Sequence, residues 1–252
     1  MNALDRLHYF LHRLRNKSKN EKFIRENPEI KLPPEYTLYE AYRLDYANYF
    51  EDGRNTAQWV AKELSLHLPV GQKKILDWGC GPARVVRHMP ELLQGAEIYG
   101  SDYNAKTIEW CKQNIPGVNF SVNSLAPPLS YQEKFFDAIY ALSVFTHLSE
   151  ENHFTWIKEL YRILKPGGVL LITTQGNAFA GKLTSTEKET FNQGEIVVRG
   201  KVKEGHRTFS AFHPEKFMLT FFSDGWKLLK FEKGSVQDWG PQQDLWIVKK
   251  NE

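Results

Sequence analysis

Two carboxylates and a glycine pair carry the chemistry this chain could do. Asp77 stands just ahead of Gly79-Cys80-Gly81, and Asp102 lies about 25 residues later. Glycine has no Cβ, so a turn with glycine on both sides of Cys80 can take positive φ angles and let a ligand approach the main chain. A carboxylate at Asp77 suits an ammonium or other cationic group, whereas a dinucleotide pyrophosphate would want no negative charge there. Asp102 is spaced to accept from both hydroxyls of a ribose. Beside it, Tyr103 can lay its ring on a base or cap the helix beginning near Asn104. Farther on, the Asn123 amide, with Ser124 and Leu125 next in the chain, offers a donor and an acceptor or serves as a turn residue. A nicotinamide dinucleotide fits poorly, because G-x-G-x-x-G would require glycine at position 84, where the chain has Arg84.

These residues need a sheet to place them. Lys73 to Trp78 is a short apolar run suited to a buried parallel strand. A helix is predicted from Ala83 onward, its first N–H groups turned to the ligand. Further strands are predicted at 96–101, 118–122, 135–142, 169–174, 226–232 and 245–250, with helices between them. The pattern is that of an α/β chain: a doubly wound, mostly parallel seven-stranded sheet with helices on both faces.

The stretch from Asp77 to Ala83 resembles motif I of the class I S-adenosylmethionine (SAM)-dependent methyltransferases, with Ala83 in place of the third glycine. The run FDAIY and then FTHL, between Phe136 and Leu148, resembles motif IV and its sequel. Leu164-Lys165-Pro166-Gly167-Gly168 before a strand is a further signature frequent in that superfamily. The likeness covers roughly Gly53 to Lys250. It implies a Rossmann-like fold, SAM as methyl donor and S-adenosylhomocysteine (SAH) as product. It implies donor-binding roles for Asp77, Gly79, Cys80, Gly81, Asp102, Tyr103, Asn123, Ser124, Leu125 and Ala141, with Tyr46, Tyr49 and Arg54 the candidates to close over the methionine end; the alternative for the tyrosines is packing at a helix interface. His147, at the edge where the methyl group is presented, is the candidate general base, needed only where the nucleophile must lose a proton; the alternative is a structural hydrogen-bonding role. Tyr140 and the insertion residues His206, Arg207 and His213 are the candidates for acceptor contact. Two rival functions remain, a SAM-binding protein without transferase activity and a nicotinamide-dependent oxidoreductase on a similar sheet, the second disfavoured by Arg84.

At 252 residues the chain has room for one such domain and some decoration. Residues 1–50 are predicted as an N-terminal helical extension and 51–252 as the methyltransferase domain. Within it, 175–213 is too long for a connector and reads as a β-rich insertion after the fifth strand that covers the substrate. The net charge of +3 is mildly basic, and no basic stripe interleaved with aromatics appears outside the N-terminus. That charge permits anionic partners without demanding nucleic acid; the expected acceptor is a small molecule or glycan, with no nucleic acid, because a covered site suits such acceptors better than a protein surface or a nucleic acid. Leu4, Leu7, Phe10, Leu11 and Leu14 share a helical face ringed by Arg and Lys, so residues 1–22 suit either a weak peripheral membrane contact or docking on the domain. Cys80 and Cys111 offer no metal or disulfide spacing, and no run approaches a membrane span, which points to the cytoplasm. Oligomeric state has no sequence signal.

Overall fold

The structure is a computed structural model describing residues 3–69, 71–200, 202, 204–205 and 208–251. His206 and Arg207 lie outside the described residues. Two helices, α1 (Ala3–Glu26) and α2 (Glu35–Tyr42), precede α3 (Gly53–Ser65). The α/β part then runs β1 (Lys74–Trp78), α4 (Met89–Leu92), β2 (Glu97–Asp102), α5 (Ala105–Asn114), β3 (Val118–Val122), β4 (Phe136–Ala141), α6 (Glu150–Ile163) and β5 (Leu164–Thr174). It continues through α7 (Ser185–Gln193), β6 (Val197–Arg199), β7 (Ser210–Phe212), α8 (Glu215–Phe221), β8 (Trp226–Glu232), β9 (Val236–Gln237), β10 (Gly240–Pro241) and β11 (Asp244–Lys250).

Seven strands form one sheet in the order β3-β2-β1-β4-β5-β11-β8. Pairing is parallel from β3 to β5, and β11 runs antiparallel to both β5 and β8. The order reverses between β1 and β4, which opens a crevice at the carboxyl ends of those strands. Alternation along β1 sends Leu76 and Trp78 into the apolar layer beneath α6 and α8, and Ile75 into the layer with Val60, Leu64 and Ile108 of α3 and α5. Asp77 therefore sits on the second face near the carboxyl end of β1, 4% exposed and behind the cavity wall, which it does not line.

The predicted helix from Ala83 does not form as expected. Ala83 takes a left-handed φ of 60°, and the chain continues through a 3₁₀ turn at Val86–His88 into the four-residue α4, with Pro90 in its first turn. A left-handed alanine interrupts helical dihedrals, so no long helix presents a row of free N–H groups there. The β9–β10 hairpin, which no sequence periodicity predicts, leaves the sheet just before β11; since Asp244 pairs with Thr174 at the end of β5, the hairpin stands at the crevice edge.

Candidate active site

A cavity of about 980 Å³ fills the crevice, near the top of the roughly 300–1,000 Å³ range of small-ligand sites. Its floor is the β1 turn. Gly79 and Cys80 both donate their N–H to the Ser101 carbonyl, at 2.8 and 3.0 Å, and Gly81 N–H donates to Asp102 Oδ2 at 3.0 Å. The turn's amides are thus spent on β2, and what the loop offers a ligand is bare backbone. A Cβ on Gly79, whose φ is +79°, would lie 2.4 Å from Val144 Cγ2, while one on Gly81 would meet nothing within 4 Å. Gly79 lets the β4 loop close against the turn, and Gly81 leaves the open space.

Asp102 is half-buried, and its second oxygen accepts from Asn104 N–H at 2.8 Å. Burial pushes its pKa up against these backbone donors. Each oxygen keeps a second lone-pair direction, the capacity needed to accept from two ribose hydroxyls. Asp77 is buried more deeply, and burial raises its pKa to about 7. Tyr140 and Arg84 oppose that shift and the Asp102 charge adds to it. Tyr140 stands against this carboxyl, yet its hydroxyl closes no hydrogen bond of good geometry among the described residues. An ammonium beside Asp77 would relieve the burial cost of its charge.

At the base end, Asn123 donates through Nδ2 to the Ser124 carbonyl at 2.7 Å, while its buried Oδ1 has no partner among the described residues. An orphaned buried acceptor is costly unless a ligand donor meets it, and an adenine amine would. Tyr103, Leu125 and Gly205 line the same end, with the Tyr103 hydroxyl donating to the Gly205 carbonyl at 2.9 Å. Trp156 Nε1 donates to the Leu125 carbonyl at 2.9 Å and holds that loop in place.

The described tip of the 175–213 insertion therefore lies over the base end. Gly205 N–H donates to the His147 carbonyl, Ser149 N–H to Glu204, and His147 Nδ1 bonds the Phe209 carbonyl at 2.8 Å. His147 lines the cavity while anchoring the insertion. His213 is elsewhere: fully buried in the core, its Nε2 is 2.8 Å from His153 Nε2, and burial pushes its pKa well below the imidazole range. Cys80 and Ala141 are buried beside the turn. Tyr46 packs in the N-terminal cluster, its hydroxyl donating to Glu35, and Arg54 is exposed over the Phe50 ring. Neither lines the cavity.

The rest of the cavity wall is built from residues the sequence did not single out. Tyr42, Thr56 and Trp59 come from the N-terminal elements, Phe179 from the start of the insertion, and Trp239, Gln242 and Gln243 from the hairpin and its exit. Gln243 Nε2 donates to Ser143 Oγ at 2.8 Å, tying that exit to the end of β4. Arg84 donates to Asp52 at 2.7 Å and to Thr56 at 3.2 Å, and Tyr49, fully buried, donates to the Pro82 carbonyl at 2.7 Å. These bonds fasten the turn to the helices ahead of it. Trp59 and Trp239 could have drawn notice as isolated tryptophans, but no spacing links them.

Residues 76–172 match the family described as a methyltransferase domain, and that span holds the β1 turn, Asp102 and Asn123. With a methyltransferase domain over that span and the fold of solved SAM-dependent methyltransferases around it, the chain is a SAM-dependent methyltransferase. SAM is accordingly its methyl donor, and on the cavity wall Asp102 and the unpartnered Asn123 oxygen are acceptors of the kind its hydroxyls and amine require. Among relatives of this methyltransferase, a tRNA N(3)-methylcytidine methyltransferase of Schizosaccharomyces pombe is 28% identical over 226 residues, covering 80% of this chain and 71% of the relative. A tRNA (carboxymethyluridine(34)-5-O)-methyltransferase of Arabidopsis thaliana is 33% identical over 152 residues, 60% of this chain and 34% of that one. A magnesium protoporphyrin IX methyltransferase structure from Synechocystis, with bound SAH, shares the fold at a TM-score of 0.58 and 14% identity, covering 96% of this chain and 99% of that chain. The two tRNA-modifying relatives overturn the expectation that nucleic acid is excluded as a partner. Among the described residues no helix is long and apolar enough to cross a membrane.

Proposed function

We propose that this methyltransferase moves the methyl group of SAM to a nitrogen or oxygen of a neutral acceptor, a small molecule or a sugar-containing group, free or carried in a nucleic acid. The observation that carries this reading is the composition of the acceptor end. Among the described lining residues the one Arg or Lys is Arg84, already paired with Asp52. The rest of that end is aromatic rings, hydroxyls and amides, which suit hydroxyl- and nitrogen-bearing rings better than a polycarboxylate. Methyl transfer removes the sulfonium charge, so the protein gains chiefly by positioning and by excluding water, with proton removal needed for a hydroxyl nucleophile. His147 is the proposed base for that case, its Nδ1 held by the Phe209 carbonyl. The two buried, unpaired cysteines suit a reducing compartment, and the cytoplasm is the proposed location.

The test is SAH release measured against unmodified tRNA transcripts, free nucleosides, phenols, glycans and polycarboxylates. Turnover of neutral acceptors supports the reading. Turnover confined to polycarboxylates, or SAM binding with no transfer to any acceptor class, would contradict it.

A further inference from the structure

The β9–β10 hairpin places a bare indole at the mouth of the cavity. Trp239 is 73% exposed and no aromatic ring stacks on it among the described residues, yet it lines the cavity. An exposed tryptophan leaves a large flat apolar surface in water, a cost that a stacked ligand would relieve. A hairpin with two residues per strand is marginal by itself. This one is braced: Gln237 Nε2 donates to Ser235 Oγ at 2.7 Å, Ser235 Oγ to Gln242 Oε1 at 3.1 Å, and Gln242 N–H to the Ser235 carbonyl at 2.9 Å. At its base Gly234 N–H donates to Asp244 Oδ1 at 2.8 Å, and Gly234 runs so close to Gln242 that a Cβ would lie 2.1 Å from the Gln242 carbonyl oxygen. The bracing holds the indole at a set position, and Gln243, bonded to Ser143, joins that position to the end of β4, where the methyl group is presented.

We infer that Trp239 is a stacking platform for the acceptor, which therefore presents a flat, neutral aromatic ring with hydrogen-bonding edges, read at those edges by the amides of Gln242 and Gln243. Stacking on an indole face tolerates variation in the ring, and edge amides supply the selection. The inference rests on the proposed neutral acceptor and narrows it to ring-bearing molecules. The ring can come from a free nucleoside or phenol, or from a nucleobase in RNA.

The test uses the full chain saturated with SAH and titrated with uridine, cytidine, catechol and an unmodified tRNA transcript, with cyclohexanol and glucose as non-aromatic controls. Binding is followed by tryptophan fluorescence and by calorimetry. At least one ring probe is expected to bind and quench fluorescence; Trp239→Ala should weaken it on the order of tenfold and abolish the quench, and Trp239→Phe should keep most of the affinity. Saturation by the transcript alone would assign the ring to RNA, and saturation by a free ring to a small acceptor. Equal affinity in wild type and Trp239→Ala, or binding of the non-aromatic controls and no ring probe, would overturn the platform. Donor affinity, measured in the same samples, should be unchanged by either variant. Absence of SAH binding in the wild type would instead refute the methyltransferase reading itself.

Discussion

The two ends of the cavity are built by different means. The donor end is made of backbone and strand termini: a turn whose three amides are all bonded to β2, two carboxylates placed by adjacent strands, and an asparagine oxygen waiting for a donor. The acceptor end is made of side chains gathered from four separated stretches of chain, capped by a braced hairpin with an exposed indole. Preorganised backbone suits a ligand shared by every member of a family, whereas a rim of side chains can be exchanged without disturbing the sheet.

The sharpest way to break this contrast is Gly79→Val. The turn needs φ near +79°, and even a Cβ would lie 2.4 Å from Val144, so a β-branched residue meets both strain and collision. SAM binding should be lost in calorimetry while circular dichroism still reports a folded α/β chain. Normal SAM affinity in this variant would mean the turn does not face the donor. Next in size, Asp102→Ala removes charge-assisted bonds to ribose, on the order of 1.5–3 kcal/mol, read as a roughly ten- to hundredfold rise in the SAM dissociation constant. It also frees Gly81 N–H, so Asp102→Asn serves as the milder comparison.

A smaller effect should come from proton uptake. Asp77 has its pKa raised to about 7, so it is largely protonated below that pH and charged above it. An ammonium prefers the charged form, so SAM affinity should rise with pH through the neutral range, by about tenfold between pH 6 and 8 if the bound carboxyl stays ionised. Asp77→Asn should flatten the profile. Smallest of all, Gln243→Ala removes one half-buried bond to Ser143, about 0.5–1.5 kcal/mol of local stability, and should alter acceptor turnover with SAM affinity unchanged.

The same division explains what could be read from the chain. The sheet and the glycine turn were legible because strand periodicity and glycine spacing are local signals that survive folding unchanged, and Asp102, placed at a strand end, does reach the cavity wall. The turn's continuation was not, since Ala83 adopting a left-handed angle is decided by tertiary packing and not by its helix propensity. His213 looked available beside Phe212 but pairs with His153 in the core, a contact across 60 residues that no spacing announces. The insertion read correctly as strand-like, with β6 and β7 pairing, while its placement over the base end depends on bonds from Gly205 to Tyr103 and His147. Trp239 and Gln243 were invisible because a hairpin of two-residue strands has no alternation to detect.

The most direct test is a calorimetric titration of SAM into the wild-type protein at pH 6 and pH 8, with NADH as the competitor. The preformed donor end requires micromolar affinity, about −8 kcal/mol, tighter at pH 8, and no displacement by NADH. No binding of SAM at either pH, or tight binding of NADH in its place, would contradict it.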